Sequence, residues 1–229
     1  MAVTLIDILH IEKMRDAVIV AGEAHLNKKV SRIATIEKPF VDHPEYCYQV
    51  VKPDDIYLSK LFVFHEQKDK LYAELSFMKE TNGSGLITHK EELAFLDEEI
   101  INRAEELRIP IIAIDNDFGF TELTYNILDL IIKDEVIQVQ RANLERLLSH
   151  NVAEEELKHH VEGLTVGLGS YSAAIYIQSA ERIPFNAFRM EPCDLLLPLY
   201  GGLMYLFSAD TCLLYTSRSE KIWKVLRRL

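Results

Sequence analysis

The sequence predicts an α/β fold: an N-terminal domain with a short, mostly parallel sheet and helical returns, a long connector helix, and a partial α+β second domain. Three observations predict it. Short apolar runs such as IPIIAID, residues 109–115, alternate with stretches whose apolar residues recur every three or four positions. The stretch Tyr125 to Leu148 keeps a helical pattern with no Gly or Pro. Late in the chain, Gly201-Gly202 separates two apolar runs in the manner of a hairpin.

Taken in order, Thr4 caps a short helix, LIDILHI, with Asp7 as its capping-box partner. A short apolar segment from Ala17 to Val20 breaks at Gly22. VSRIATIEK alternates as a strand should and is stopped by Pro39. Residues 39–53 read as turn-rich, and DDIYLSKLFVF as a second strand. Lys68 to Lys79 carries Leu71, Leu75 and Met78 at helical spacing, and NGSGLITH is a turn leading into a third strand. A helix over Glu91 to Leu107 returns the chain to IPIIAID, whose continuous apolarity fits a strand covered on both faces. Beyond Leu148 follow an acidic helical piece, HNVAEEELKHHVEGL, the strand AAIYIQ and the hairpin DLLLPLYGGLMYLFSAD.

The long helix has two apolar stripes. Leu128, Ile132, Val136, Val139 and Leu147 fall on one side, and Leu130, Ile137, Leu144 and Leu148 almost opposite. One stripe suffices to dock a helix on its own domain. The second asks for burial in a core, a following domain, or the same helix of a second subunit. Asn143, among the apolar residues on the Leu147 side, is placed to fix pairing register as a buried Asn does in coiled coils.

The chain of 229 residues carries 25 basic and 36 acidic side chains, a net charge of −11. That balance repels a polyanion, and the one concentrated basic stretch is Arg218 to Arg228, so any part that touches DNA is not expected within residues 1–210. No apolar run is long enough for a membrane span and no signal peptide precedes the first helix, so no membrane partner and a cytoplasmic location are expected. Cys47, Cys193 and Cys212 are odd in number and never spaced as CxxC, which argues for free thiols and against a disulfide framework or a zinc ribbon.

The order TLIDIL, LNKKVSRIATIEKP, PDDIYLS, GSGLITH and RIPIIAIDNDFGFTEL feeding a long helix resembles the N-terminal domain of the PucR family of bacterial transcriptional regulators, over roughly residues 2 to 148. The strand and hairpin that follow are similar to the start of the GGDEF-like domain often second in these regulators. The resemblance implies a purine catabolism regulator-like sensor domain over 1–124, a connector or dimerisation helix over 125–148 and a partial GGDEF-like domain over 149–211. It also implies a helix-turn-helix that is missing here. CLLYTS, residues 212–217, looks like one translated frame of a transposon end used in sequencing-library preparation, so the basic tail 212–229 is expected to be chimeric. The family tends to place an acidic residue after its early strand, matched by Glu37, and an acidic-apolar-x-Leu-Thr-Thr-Gly pattern on the next. Here that pattern reads Asp55, Ile56, Tyr57, Leu58, Ser59, Lys60, Leu61, keeping a hydroxyl at Ser59 and departing at Lys60 and Leu61.

In parallel sheets ligands sit beyond the carboxyl ends of the strands. If the strands are parallel, that rule puts Glu37, the Ser59 region, Thr88 or His89 and Asp115 to Asp117 near one rim; with Asp55 added from the family pattern, the candidate effector-binding residues are Glu37, Asp55, Ser59 and Asp115. The connector candidates are Leu128, Ile132, Val136, Val139, Asn143 and Leu147. No cofactor, metal or catalytic residue is assigned. Asp115-Asn116-Asp117 could hold Mg²⁺, against a solvated loop; NGSG could cradle phosphate, against a plain turn; His43 with Cys47, or Glu155 with His159, could bind metal but lacks a third ligand. Three functions are weighed: a regulatory module that binds a small-molecule effector and signals through a homodimeric helix, a small metal-dependent α/β enzyme using Asp115, Asp117 and Glu37, and a purely structural dimerisation scaffold.

Overall fold

The computed structural model describes residues 2–149, 171–178 and 194–209. The acidic piece that opens with His150, Glu155 and His159, Cys193, Cys212 and the basic tail lie outside these residues, as do the side chains of Asn143, Leu144, Leu147 and Leu148.

The first unit spans Ala2–Asp134. Its five strands are β1 (Val18–Ala21), β2 (Arg32–Thr35), β3 (Asp55–Leu58), β4 (Gly85–His89) and β5 (Ile111–Ile114), in the order β1-β5-β4-β3-β2. Strands β2 to β5 are parallel, and β1 pairs antiparallel with β5. The helices are α1 (Leu5–Leu9), α2 (Pro44–Val50), α3 (Lys68–Glu80), α4 (Glu98–Leu107) and α5 (Phe120–Ser149).

Alternation along the strands divides the core in two. Tyr57, Leu86 and Ile111 point into one layer, where they meet Leu71, Leu75 and Met78 of α3 and Ile100 and Ala104 of α4. Ile56, Leu58, Ile87, Ile112 and Ile114 point into the other, against Leu5 and Ile8 of α1 and Leu123, Ile127 and Ile131 of α5. All positions of β3, β4 and β5 are buried, as strands covered on both faces require. The capping box at α1 forms as expected, with Thr4 N–H donating to Asp7 Oδ2 at 2.8 Å.

Several elements differ from the sequence reading. The apolar segment ending at Gly22 is the edge strand β1; Gly22 takes φ +74°, and a Cβ there would lie 2.6 Å from Pro110 Cα. The turn-rich stretch contains α2, started by Pro44 at a position where the missing N–H costs nothing. The second strand stops at Leu58, and Phe62–Phe64 form a 3-10 turn after Leu61 enters the left-handed region at φ +33°. The helix expected over Glu91 to Leu107 is split: Lys90–Ala94 is 3-10, and Asp97 then caps α4 by accepting from Ile100 N–H at 3.1 Å. Helix α5 begins at Phe120, before Tyr125.

The second unit, from Glu135 onward, contains a three-stranded antiparallel sheet of β6 (Tyr171–Ile177), β7 (Leu195–Leu199) and β8 (Gly202–Ala209), ordered β6-β8-β7. Leu195 and Leu197 pack with Ile137, Met204 and Leu206. The hairpin is where the sequence puts it, but its two turn residues are Tyr200 (φ +47°) and Gly201 (φ +78°), since Leu199 pairs with Gly202. Two positive φ values in succession are the type I′ pattern that matches strand twist. Gly202 is required for another reason: a Cβ there would fall 2.5 Å from the Tyr176 ring.

Candidate functional site: the carboxyl rim and the β2 edge

Because β2 to β5 run parallel, the segments after their last residues share one rim of the sheet. Glu37 follows β2, Ser59 follows β3, His89 ends β4 and Asp115 follows β5. Asp55 is elsewhere: it opens β3, at the amino end. Three of the four effector candidates therefore lie on the rim and one on the opposite side. The strand order from β2 to β5 also proceeds without reversal, so it lacks the switch point at which a crevice opens in doubly wound sheets.

Ser59 is fully enclosed. Its Oγ accepts from Leu61 N–H at 3.2 Å and lies 3.5 Å from Ile36 O, so the hydroxyl holds the turn in which Leu61 is left-handed. The pattern that Ser59 to Leu61 resembles has Gly at this position, and the backbone here keeps the conformation that favours Gly while Leu61 fills the core. Asp115 is ion-paired with Lys90 Nζ at 2.6 Å, and Asn116 Oδ1 accepts from Glu91 N–H at 3.0 Å. Both thus tie the segment after β5 to the segment after β4. Asp115 and Glu37 end strands three positions apart in the sheet, roughly 14 Å at the usual strand spacing, too far to share one cation. Among the described residues no three His, Cys, Asp or Glu side chains gather as a metal site.

The end of β4 joins the rim to α5. His89 is buried, its Nε2 lies 3.2 Å from Phe118 O, and its ring stacks on Phe120, the first residue of α5, with centroids 4.4 Å apart. Two buried polar atoms here have no hydrogen-bond partner among the described residues: Thr88 Oγ1 and His89 Nδ1. Successive strand residues face opposite sides, so one orphan group lies on each face of the rim. On the α3 side of the sheet, His65 Nε2 meets the buried Glu92 carboxylate at 2.6 Å. His89 ends a buried strand, where the strand-end rule places it; His65 and Glu92 are far apart in sequence and carry no local signal.

A second feature is a groove of about 490 Å³ along the outer edge of β2. All four residues of β2 line it, together with Glu37 and the α2 side that carries His43, Cys47, Val50 and Val51. Asp55 closes one end. Its Oδ2 accepts from Lys52 N–H at 2.9 Å, and Arg32 Nε approaches its Oδ1 at 3.3 Å, a distance of ion pairing without hydrogen-bond alignment. Burial pushes the Asp55 carboxyl up, opposed by Lys52 N–H and Arg32. The Cys47 thiol is also pushed up by burial and by Glu74.

Helix α5 shows its character in exposure. Leu123, Ile127 and Ile131 are rooted in the core, whereas Tyr125, Leu128, Ile132, Val136 and Val139 are exposed, Tyr125 at 72% and Val139 at 62%. The described part of the stripe read from sequence, Leu128, Ile132, Val136 and Val139, is therefore exposed, and Leu123, Ile127 and Ile131 dock the helix onto the sheet. Ile137, of the second stripe, packs on β7.

Fold and rim together describe an α/β domain whose strand ends are built into the start of a long helix, with side chains engaged in structural ties. The chain belongs to the purine catabolism regulatory protein-like family, PucR, whose model matches residues 7–131, more than half of the chain. It is a family of regulatory proteins, and the match ends within α5. No curated protein and no solved structure matches the chain. No helix among the described residues is long and apolar enough to cross a membrane.

Proposed function

We propose that this chain is the regulatory part of a PucR-type transcriptional regulator: a small-molecule effector acts at the carboxyl rim, and α5 carries the response to a dimer interface and to downstream domains. DNA contact then belongs to a helix-turn-helix outside residues 1–229, and residues 149–211 to part of a GGDEF-like domain. The observation that carries this reading is α5 itself. One side is anchored in the sheet through Leu123, Ile127 and Ile131, its first residue stacks on the rim histidine, and its outer side leaves an apolar stripe uncovered. Intrahelical pairs Lys133–Asp129 and Arg141–Glu145 put charges along the same helix, as in helices that associate through a narrow seam.

The orphan Nδ1 of His89, on the face that carries α5, supports a polar ligand at the rim, because a buried group without a partner costs about 1–3 kcal/mol that a ligand bond would recover. A ligand shifts α5 only by binding one arrangement of it better than another. Calorimetry against a panel of purines and amino acids, paired with hydrogen exchange of residues 118–124, tests the reading. Saturable binding of one compound with altered exchange there is the expected result. Binding that leaves 118–124 unchanged, or a wild-type panel with no binder, contradicts it.

A further inference from the structure

We infer that the rim ligand meets His89 through an uncharged N–H or O–H group, which donates to Nδ1 of the imidazole. The inference rests on the effector reading and names the chemistry that the rim recognises. His89 Nε2 lies 3.2 Å from Phe118 O. A carbonyl oxygen can only accept, so Nε2 carries the proton of that bond. In the neutral ring the other nitrogen then keeps its lone pair. That atom, Nδ1, is buried without a hydrogen-bond partner among the described residues, in a residue only 2% exposed. The backbone leading into α5 thus sets the tautomer, and the tautomer leaves an acceptor with nothing to accept.

The surroundings decide which donor fits. The Phe120 ring stacks on the imidazole with centroids 4.4 Å apart, which together with the bond to Phe118 O fixes the ring plane and the direction of Nδ1. Between these two residues Gly119 is exposed, and a Cβ built there would meet nothing within 4 Å, so the segment that holds the histidine is open on that side. Charges on the adjoining segments are already paired. Lys90 Nζ meets Asp115 Oδ1 at 2.6 Å, and Lys13 Nζ, 5.6 Å from the Phe118 ring centroid, meets Glu122 Oε1 at 2.6 Å. Asp117 is exposed and adds negative charge. A carboxylate or phosphate brought to His89 would set its lone pairs against that of Nδ1, and an ammonium would be buried without a counter-ion. An uncharged donor, as in an amide or an alcohol, meets neither cost.

The test reads the histidine ring nitrogens by NMR in the whole chain with isotope-labelled histidine, His89 being assigned through its own backbone amide. The probes are acetamide, N,N-dimethylacetamide, which keeps the carbonyl and loses the N–H donors, and acetate. Expected are a protonated Nε2 and a bare Nδ1 in the free chain, and a saturable shift of the His89 Nδ1 signal with acetamide. Binding of N,N-dimethylacetamide and of acetate should be about tenfold weaker, the size of one lost hydrogen bond. A proton on Nδ1, an Nδ1 signal that acetamide leaves unmoved, or equal binding of either control overturns the inference. Its failure is separable from that of the effector reading. A purine or amino acid that binds and alters exchange over 118–124 without moving Nδ1 removes this inference and keeps that reading; a panel without a binder removes the reading, while acetamide still decides the chemistry at His89.

Discussion

Replacing Glu74 with Gln should convert a pH-dependent fold into a flatter one. Glu74 sits in α3 with no exposed surface; its Oε2 accepts from Phe40 N–H at 2.9 Å and Val41 N–H at 3.3 Å, and its Oε1 has no hydrogen-bond partner among the described residues. Burial pushes its carboxyl up from the usual 4.5 to about 7, against the pull of the two N–H donors and with the help of Asp42. The sign follows. Between about 4.5 and 7 the folded chain keeps a proton that the unfolded chain releases, so stability falls as pH rises through that window and is level above it. A shift of that size corresponds to on the order of 3 kcal/mol. Gln keeps an acceptor for Phe40 N–H and removes the ionisation, at the cost of a buried amide N–H₂ where Oε1 was, about 1–3 kcal/mol at every pH. Urea unfolding of both chains at pH 4.5 and pH 8 reads the difference. The variant should lose at pH 4.5 and recover roughly 3 kcal/mol relative to wild type at pH 8. The same stability difference at both pH values would refute the assignment of Glu74 as the group that titrates.

Leu61→Gly relaxes a left-handed residue, worth about 1–2 kcal/mol, but empties a fully buried leucine site whose loss costs about 2–5 kcal/mol. Net destabilisation of up to about 4 kcal/mol is expected by chemical denaturation, and a stabilised variant would contradict the packing role. His89→Ala removes the stack on Phe120 and the contact with Phe118 O, so hydrogen exchange should accelerate over 118–124 while the α3 and α4 amides stay protected; uniform exchange change would disprove a specific link to α5. Gly202→Ala drives a Cβ into Tyr176 and should unpair β6 from β8, seen as loss of β6 amide protection, with the first unit's melting unchanged.

Much of the fold was readable because its signals are local. The continuous apolarity of β5, the Thr4–Asp7 box, the α3 spacing and the glycine-marked hairpin each depend on neighbours in sequence. What escaped depends on partners far away. Strand β1 is four residues long and is a strand only because β5 offers its edge, and α2 is a short helix held by Cys47 and Val51 against the core. The hairpin turn was displaced by one residue because Gly202 serves close packing and Gly201 serves backbone conformation, two roles with one sequence signature. Among the site candidates, Glu37, Ser59 and Asp115 reached the rim because all three follow parallel strands. Asp55 opens its strand, at the amino end, and it shares the β2 groove with Glu37 instead. The enzyme alternative weakens on the same geometry, since Lys90 occupies Asp115 and Glu37 ends a distant strand.

The central claim is that the outer stripe of α5 is a subunit interface. Sedimentation equilibrium of the wild-type chain beside Ile132→Lys and Val139→Lys measures it most directly, because both side chains are exposed and their replacement leaves the core intact. The account predicts a wild-type dimer and monomeric variants with unchanged circular dichroism. A monomeric wild type, or a dimer indifferent to both lysines, would contradict it.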